Sequence, residues 1–125
     1  MKIQESAENY LETILRLHMQ TGAVRSVDIA NALDFSKPSV SVAMRNLRES
    51  GYIRVDEGGF ITLLPSGQEI AERIFERHKL LTDWLTALGV SEQTASEDAC
   101  RIEHVISAES FAAIKAHANR PPKKA

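Results

Sequence analysis

The stretch DACRIEHVIS, residues 98–107, carries three side chains that could do chemistry together: Cys100, Glu103 and His104. In a helix, positions i, i+3 and i+4 share one face. A thiolate, a carboxylate and an imidazole on one face could bind a metal ion, or could pair a cysteine nucleophile with a histidine base. The three residues could also be neighbours by chance, so the rest of the chain has to decide.

An enzymatic role for Cys100 is disfavoured. A cysteine nucleophile usually lies at a helix N-terminus and is paired with a base from a distant segment, whereas Cys100 and His104 lie in one predicted helix without a glycine-rich loop nearby. Cys100 is the single cysteine of the 125 residues, which excludes an internal disulfide and disfavours structural zinc. We therefore expect no enzyme, and keep a thiol enzyme or metalloenzyme as the alternative.

Further candidate ligands lie in other predicted helices. Asn9 and Glu12 are one turn apart near the start of the chain, and His78 lies in a long central helix. Six-coordinate sites for divalent iron or manganese gather their ligands from several helices, so this distribution favours a metal site. No group of candidate ligands lies near His18 or His117 in the sequence, so we expect a structural role for both histidines.

The order of predicted elements is typical of a winged helix-turn-helix. Apolar residues at helical spacing predict three helices, and alternating residues around Gly58-Gly59 predict a two-stranded hairpin after them. We expect Ser26 to cap the second helix and Ser66 to cap the long fourth helix. The predicted fold class is mainly α, and the predicted parts are a winged helix-turn-helix DNA-binding domain at 1–65, an all-helical metal-binding and dimerisation domain at 66–118, and a disordered tail at 119–125.

Charge is distributed unevenly although the formal net charge is only -2. Basic residues dominate from Phe35 to Arg54, and acidic residues dominate from Leu88 to Ala118, which suggests two tasks for two lobes. Small polar residues and backbone amides at the start of the third helix could approach phosphates and base edges, while the arginines further along would hold the DNA backbone. The residues predicted to face DNA are Ser36, Lys37, Pro38, Ser39, Ser41, Val42, Arg45 and Arg48.

The composition is that of an ordinary globular domain, 43% hydrophobic and 26% charged. Nothing resembles a signal peptide, and no apolar run approaches the roughly 18 residues that a membrane-spanning helix needs. We expect a cytoplasmic protein that does not contact a membrane.

With these residues in view, the chain resembles the diphtheria toxin repressor family of metal-dependent repressors, which includes iron-dependent and manganese transport regulators. The resemblance runs from about residue 6 to residue 118 and rests on SAENYLETI, ERHKLL and above all DACRIEHVIS. It implies a winged-helix lobe and a helical dimerisation lobe in the two-domain form. It also implies a metal-dependent repressor that binds double-stranded, palindromic operator DNA as a homodimer.

The resemblance also implies a ligand set. Cys100, Glu103 and His104 bind metal with the position of Asn9, while Glu12 and His78 fall where the family has ligands of a neighbouring second site. Position 9 is aspartate in the manganese branch and methionine in the iron branch, so the asparagine is a departure. Metal held by both lobes would fix the angle between them and thus the spacing of the two reading helices of a dimer.

The metal expected from the ligands is Fe(II), with Mn(II) second. Cys100 matches the iron branch and a thiolate shifts preference away from manganese, whereas the short chain matches the manganese branch. Two alternatives to a metal-activated repressor stay open at this point: a winged-helix regulator that responds to no metal or to another small ligand, and an enzyme.

Overall fold

The computed structural model describes residues 5–119, and these form six helices and two strands. The order, three helices, a hairpin and three further helices, agrees with the predicted fold class. In chain order the elements are α1 Glu5–Thr21, α2 Ser26–Leu33, α3 Lys37–Glu49, β1 Ile53–Val55, β2 Ile61–Leu63, α4 Pro65–Ala87, α5 Glu92–Val105 and α6 Ala108–Ala118.

The chain divides into two compact units at a point inside α4. The first unit ends at Ile74 and the second begins at Phe75. The predicted division between residues 65 and 66 coincides with the start of α4 and stays a prediction. Of the predicted tail, Asn119 caps α6, and residues 120–125 lie outside the described part of the chain.

The core of the first unit is apolar and draws on every element from α1 to the start of α4. Helical spacing brings Leu11 and Ile14 of α1 to one face, and Val40, Met44 and Leu47 of α3 to another. Burial of such side chains is the main favourable term for a domain of this size. The remaining buried members of this cluster are Val24, Ile29, Ala30, Ile53, Ile61 and Ala71.

Local signals at the helix ends explain where α2 begins. The predicted Ser26 cap is wrong by one residue, because Arg25 is the N-cap and Ser26 is the first helical residue. Asp28 causes the shift: its carboxylate accepts a hydrogen bond of 2.9 Å from the Arg25 backbone N–H, which is the reciprocal half of a capping box. A side-chain acceptor three residues downstream thus determined the start of the helix.

The wing is a short antiparallel hairpin that pairs Ile53 with Leu63 and Val55 with Ile61. Period-two alternation buries Ile53 and Ile61 and exposes Arg54, as predicted. In the turn, Gly59 has φ +83°, a conformation that favours glycine.

The start of α4 corrects the second predicted cap. Pro65 is the first residue of the helix, a position that suits its fixed φ and its missing N–H. Ser66 therefore lies inside the first turn, and its hydroxyl donates 2.9 Å to the Gly51 carbonyl instead of capping α4. The bond ties α4 to the turn that precedes the wing.

The second unit is held by a smaller apolar cluster. Leu81 of α4, Ala99 of α5 and Phe111 of α6 are its buried members. Ser91 and Ser107 cap α5 and α6 by accepting hydrogen bonds from Thr94 and Ser110 backbone N–H groups. None of the helices between residues 5 and 119 combines the length and the apolar character that a membrane span requires.

Candidate metal centre and DNA-binding surface

The second unit contains a fully buried carboxylate between two imidazoles. Glu103, in the last turn of α5, has a side-chain exposure of 0%. His78 Nδ1, from α4, lies 2.9 Å from Glu103 Oε2, and His104 Nε2, from α5, lies 3.3 Å from Glu103 Oε1. The structure therefore brings together three of the residues predicted to bind metal.

The surroundings of Glu103 fit a metal ion. A buried charge is costly unless it is paired and hydrogen-bonded or bound to a metal. Among the described residues, Glu103 Oε1 accepts no hydrogen bond of acceptable geometry, so its approach to His104 at 3.3 Å is an electrostatic contact and not a hydrogen bond. Two imidazoles and one carboxylate are donors that suit manganese, iron or zinc.

Helix geometry explains why these side chains meet. Glu103 and His104 are adjacent near the end of α5, whose Ser91 cap fixes its start. His78 lies on α4 three residues before Leu81, so that apolar packing of Leu81 places the α4 face that carries His78. The Thr82 hydroxyl donates 2.7 Å to the His78 carbonyl.

Cys100 occupies a different environment from Glu103. It lies one turn earlier on α5 and is exposed to solvent. Its predicted role as a ligand stays a prediction.

The remaining predicted ligands belong to α1 in the first unit. Glu12 is buried and forms an ion pair of 3.0 Å with Arg16. Asn9 is half-buried, and its backbone carbonyl accepts a hydrogen bond of 2.8 Å from the Thr13 hydroxyl. Burial of Glu12 is unusual for a carboxylate and is consistent with a functional role.

The sequence did not predict the contacts of two charged residues that lie close to these positions. Glu8 is buried one turn before Glu12 and accepts a hydrogen bond of 2.8 Å from Arg73 of α4, within the first unit. Arg77, next to His78, donates to backbone carbonyls of α5. The available signal was the spacing of Arg73 and Arg77, four residues apart on one face of α4.

The N-terminus of α3 is exposed to solvent. Ser36 caps the helix by accepting from the Ser39 backbone N–H at 3.3 Å, and the two hydroxyls are 2.7 Å apart. Exposed backbone amides at such a terminus can bind a phosphate. All the residues predicted to face DNA are exposed: Ser36, Lys37, Pro38, Ser39, Ser41, Val42, Arg45 and Arg48.

The wing has an acidic turn, and the Arg25 side chain, from the residue before α2, lies beside it. The turn between the strands carries Asp56 and Glu57, and the Asp56 carboxylate accepts a hydrogen bond of 2.9 Å from the Phe60 N–H. The Arg25 guanidinium lies 5.3 Å from the centre of the Phe60 ring. An acidic tip is unfavourable for deep insertion into a DNA groove.

Comparison with known proteins decides what kind of chain this is. "Iron dependent repressor, N-terminal DNA binding domain" matches residues 2–58, and "Iron dependent repressor, metal binding and dimerisation domain" matches residues 64–124. "Transcriptional regulator MntR" of Salmonella typhimurium is 34% identical over 113 residues, which are 90% of this chain and 72% of that protein. The chain belongs to the diphtheria toxin repressor family of metal-dependent transcriptional repressors.

Solved structures support the same family. The chain is similar to T. acidophilum IdeR, with 25% identity, a TM-score of 0.79 and coverage of 94% of this chain. It is also similar to a manganese-dependent transcriptional repressor in complex with manganese, with 28% identity, a TM-score of 0.78 and coverage of 92% of this chain. The chain spans only 55% and 53% of those two proteins.

Family membership confirms the predicted resemblance and the predicted fold class. The relatives are transcriptional regulators, so the chain is not an enzyme. The hypotheses of a thiol enzyme and of a metalloenzyme are therefore wrong.

Proposed function

We propose that this member of the family is a metal-activated repressor that binds palindromic operator DNA in the cytoplasm as a homodimer. The observation that carries the proposal is the Glu103 carboxylate, fully buried with an imidazole nitrogen near each oxygen. A buried carboxylate without a compensating positive charge destabilises the folded state. The arrangement therefore suits a protein whose second unit gains stability and order when metal is present.

His78, Glu103 and His104 would hold the ion. When bound, a divalent cation supplies the positive charge that the buried carboxylate lacks. Glu103 would contribute an oxygen, and each histidine a ring nitrogen. We extend the ligand set to Asn9 and Glu12, as the family resemblance implies, and Cys100, which the resemblance also implies, is tested by the substitution given below.

Manganese is the metal that we propose first, with Fe(II) second, which reverses the order expected from the sequence. The preference for iron rested on the Cys100 thiolate, and Cys100 is exposed, whereas His78, Glu103 and His104 offer only nitrogen and oxygen donors. A manganese-dependent repressor is among the similar structures.

We expect Cys100→Ser to change the ratio of the dissociation constants for Mn(II) and Fe(II) by no more than about threefold, because the substitution of an exposed residue usually has only a small energetic effect. Anaerobic titration of both metals measures this ratio, and a large shift towards manganese would restore the sulfur as a ligand.

The operator would contact the exposed face of α3. Ser36, Ser39 and the first-turn amides lie at the helix N-terminus, and Arg45 and Arg48 lie further along. By linkage, operator DNA must tighten metal binding by the same factor by which metal tightens DNA binding. A regulator that ignores metal would show no such reciprocity.

Metal binding by His104→Ala tests the proposed site. We expect the substitution to weaken Mn(II) binding by about 10- to 100-fold or more, since a ligand contributes at least as much as the groups that support it. His117→Ala is the matched control, because His117 is an exposed histidine of the same unit. Calorimetric titration measures both. Equal affinities in the two variants would rule out His104 as a ligand.

A further inference from the structure

Arg77 connects all three helices of the second unit. Its Nη1 donates to the carbonyl of Glu103 at 3.1 Å and to the carbonyl of Ile106 at 3.0 Å. Its guanidinium carbon lies 5.4 Å from the centre of the Phe111 ring on α6. A single side chain of α4 thus reaches the end of α5 and the start of α6.

The two carbonyls are those that a helix C-terminus leaves without intrahelical donors. α5 ends at Val105 and Ile106 is its C-cap, so the carbonyls of the last turn need donors from outside the helix. A cation at this end also interacts favourably with the helix dipole. The Arg77 guanidinium meets both requirements with one nitrogen, and the aromatic ring beneath it restricts its position.

The same turn of α5 carries Glu103 and His104, and the residue after Arg77 is His78. We infer that Arg77 is a positioning residue of the metal centre: it fixes the last turn of α5 against α4 so that the Glu103 carboxylate meets His78. The inference rests on the proposed metal-binding function. Arg77 touches the backbone of a proposed ligand and acts through it.

Alternative roles for Arg77 are less consistent with its contacts. It is half-buried and contacts two backbone carbonyls and an aromatic ring, so its guanidinium is directed into the second unit and not presented to DNA. Among the described residues, Lys115 also joins α6 to α4: it pairs with Glu76 at 2.9 Å in an exposed position, and this ion pair contains no residue of α5. Lys115 therefore provides a matched control of equal charge change.

The test compares Arg77→Gln, Arg77→Lys and Lys115→Ala in the full chain, with Co(II) and Mn(II) as probes. Arg77→Gln is expected to weaken the binding of both ions by about 10- to 100-fold, as for other groups that orient a metal ligand. It should also change the ligand-field absorption of bound Co(II), which reports coordination geometry and not fold. Arg77→Lys should recover part of the affinity, because an ammonium can donate to one or both carbonyls without the planar fork. Lys115→Ala should match the wild type in affinity and spectrum.

A wild-type affinity and Co(II) spectrum in Arg77→Gln would overturn the inference, and so would equal losses in Arg77→Gln and Lys115→Ala. Circular dichroism of each metal-free variant reports the fold. If Arg77→Gln fails to fold, Arg77→Lys decides: weaker binding with an altered spectrum supports the inference, and wild-type values overturn it. Absence of metal binding in the wild type would instead refute the proposed function, which keeps the two failures distinct.

Discussion

In the described part of the first unit, eleven buried apolar side chains form one cluster, whereas the cluster of the second unit has three buried members. The second unit adds to its small cluster a carboxylate with no exposure and two neighbouring imidazoles. Hydrophobic burial needs no ligand, but a buried carboxylate is costly unless a positive charge or donors compensate it. The buried carboxylates Glu8 and Glu12 of the first unit are paired with Arg73 and Arg16. The first unit should therefore depend less on metal than the second.

The largest expected effect lies in the first unit. Ile29 of α2 has no exposure, so Ile29→Ala should lower the free energy of unfolding by about 2–5 kcal/mol and Ile29→Val by about 0.5–1.5 kcal/mol. Both losses should be the same with and without Mn(II), because no proposed ligand lies on α2. Urea unfolding with and without Mn(II) measures both losses. If Mn(II) recovered the lost stability, the stability of the first unit would depend on metal, contrary to the expected difference between the two units.

A smaller effect is expected from metal in the second unit. At a free Mn(II) concentration about one hundred times the dissociation constant, binding should raise the free energy of unfolding by about 2.7 kcal/mol. Glu103→Gln keeps the shape of the side chain and removes its charge, so it should abolish this gain. Thermal melting with Mn(II) or a chelator gives the measurement. A gain of wild-type size in Glu103→Gln would mean that the ion binds elsewhere.

The smallest effect concerns DNA and not stability. Arg48 is exposed on α3, so Arg48→Ala should leave unfolding within about 0.5 kcal/mol of the wild type and reduce the dependence of log affinity on log salt by about one unit. Ser39→Ala should instead change the ranking of operator variants. Binding of DNA variants at several salt concentrations separates the roles. A change of base preference in Arg48→Ala alone would reverse them.

Periodicity was sufficient to predict the first unit, because hydrophobic spacing and glycine turns are local signals. The errors at Ser26 and Ser66 arose where another hydrogen bond competed with the predicted cap. The Asp28 carboxylate accepts from the Arg25 backbone N–H, which makes Arg25 the N-cap of α2, and the Ser66 hydroxyl donates to the distant Gly51 carbonyl. The candidate site was predicted less fully. The meeting of His78 with Glu103 depends on how α4 and α5 pack, which no local pattern specifies.

The roles of Arg77 and Glu8 also escaped prediction for a physical reason. Arg77 donates to backbone carbonyls that lie 26 and 29 residues later in the chain. Because every residue has a backbone carbonyl, the sequence does not indicate which of them Arg77 contacts. Glu8 has its partner Arg73 at a separation of 65 residues. The motif places Cys100 one helical turn from Glu103, and this spacing did not predict that Cys100 is exposed.

The most direct test of the central claim is DNA binding by the wild-type chain with and without metal. Fluorescent duplexes are first enriched from a random-sequence pool by the Mn(II)-loaded protein, and fluorescence anisotropy then measures their affinity at fixed salt in Mn(II) and in a chelator. We predict that Mn(II) tightens binding at least about tenfold, which corresponds to a coupling of about 1.4 kcal/mol, in the wild type and in His117→Ala but not in His104→Ala. Equal affinity of the wild type with Mn(II) and with chelator would contradict the account.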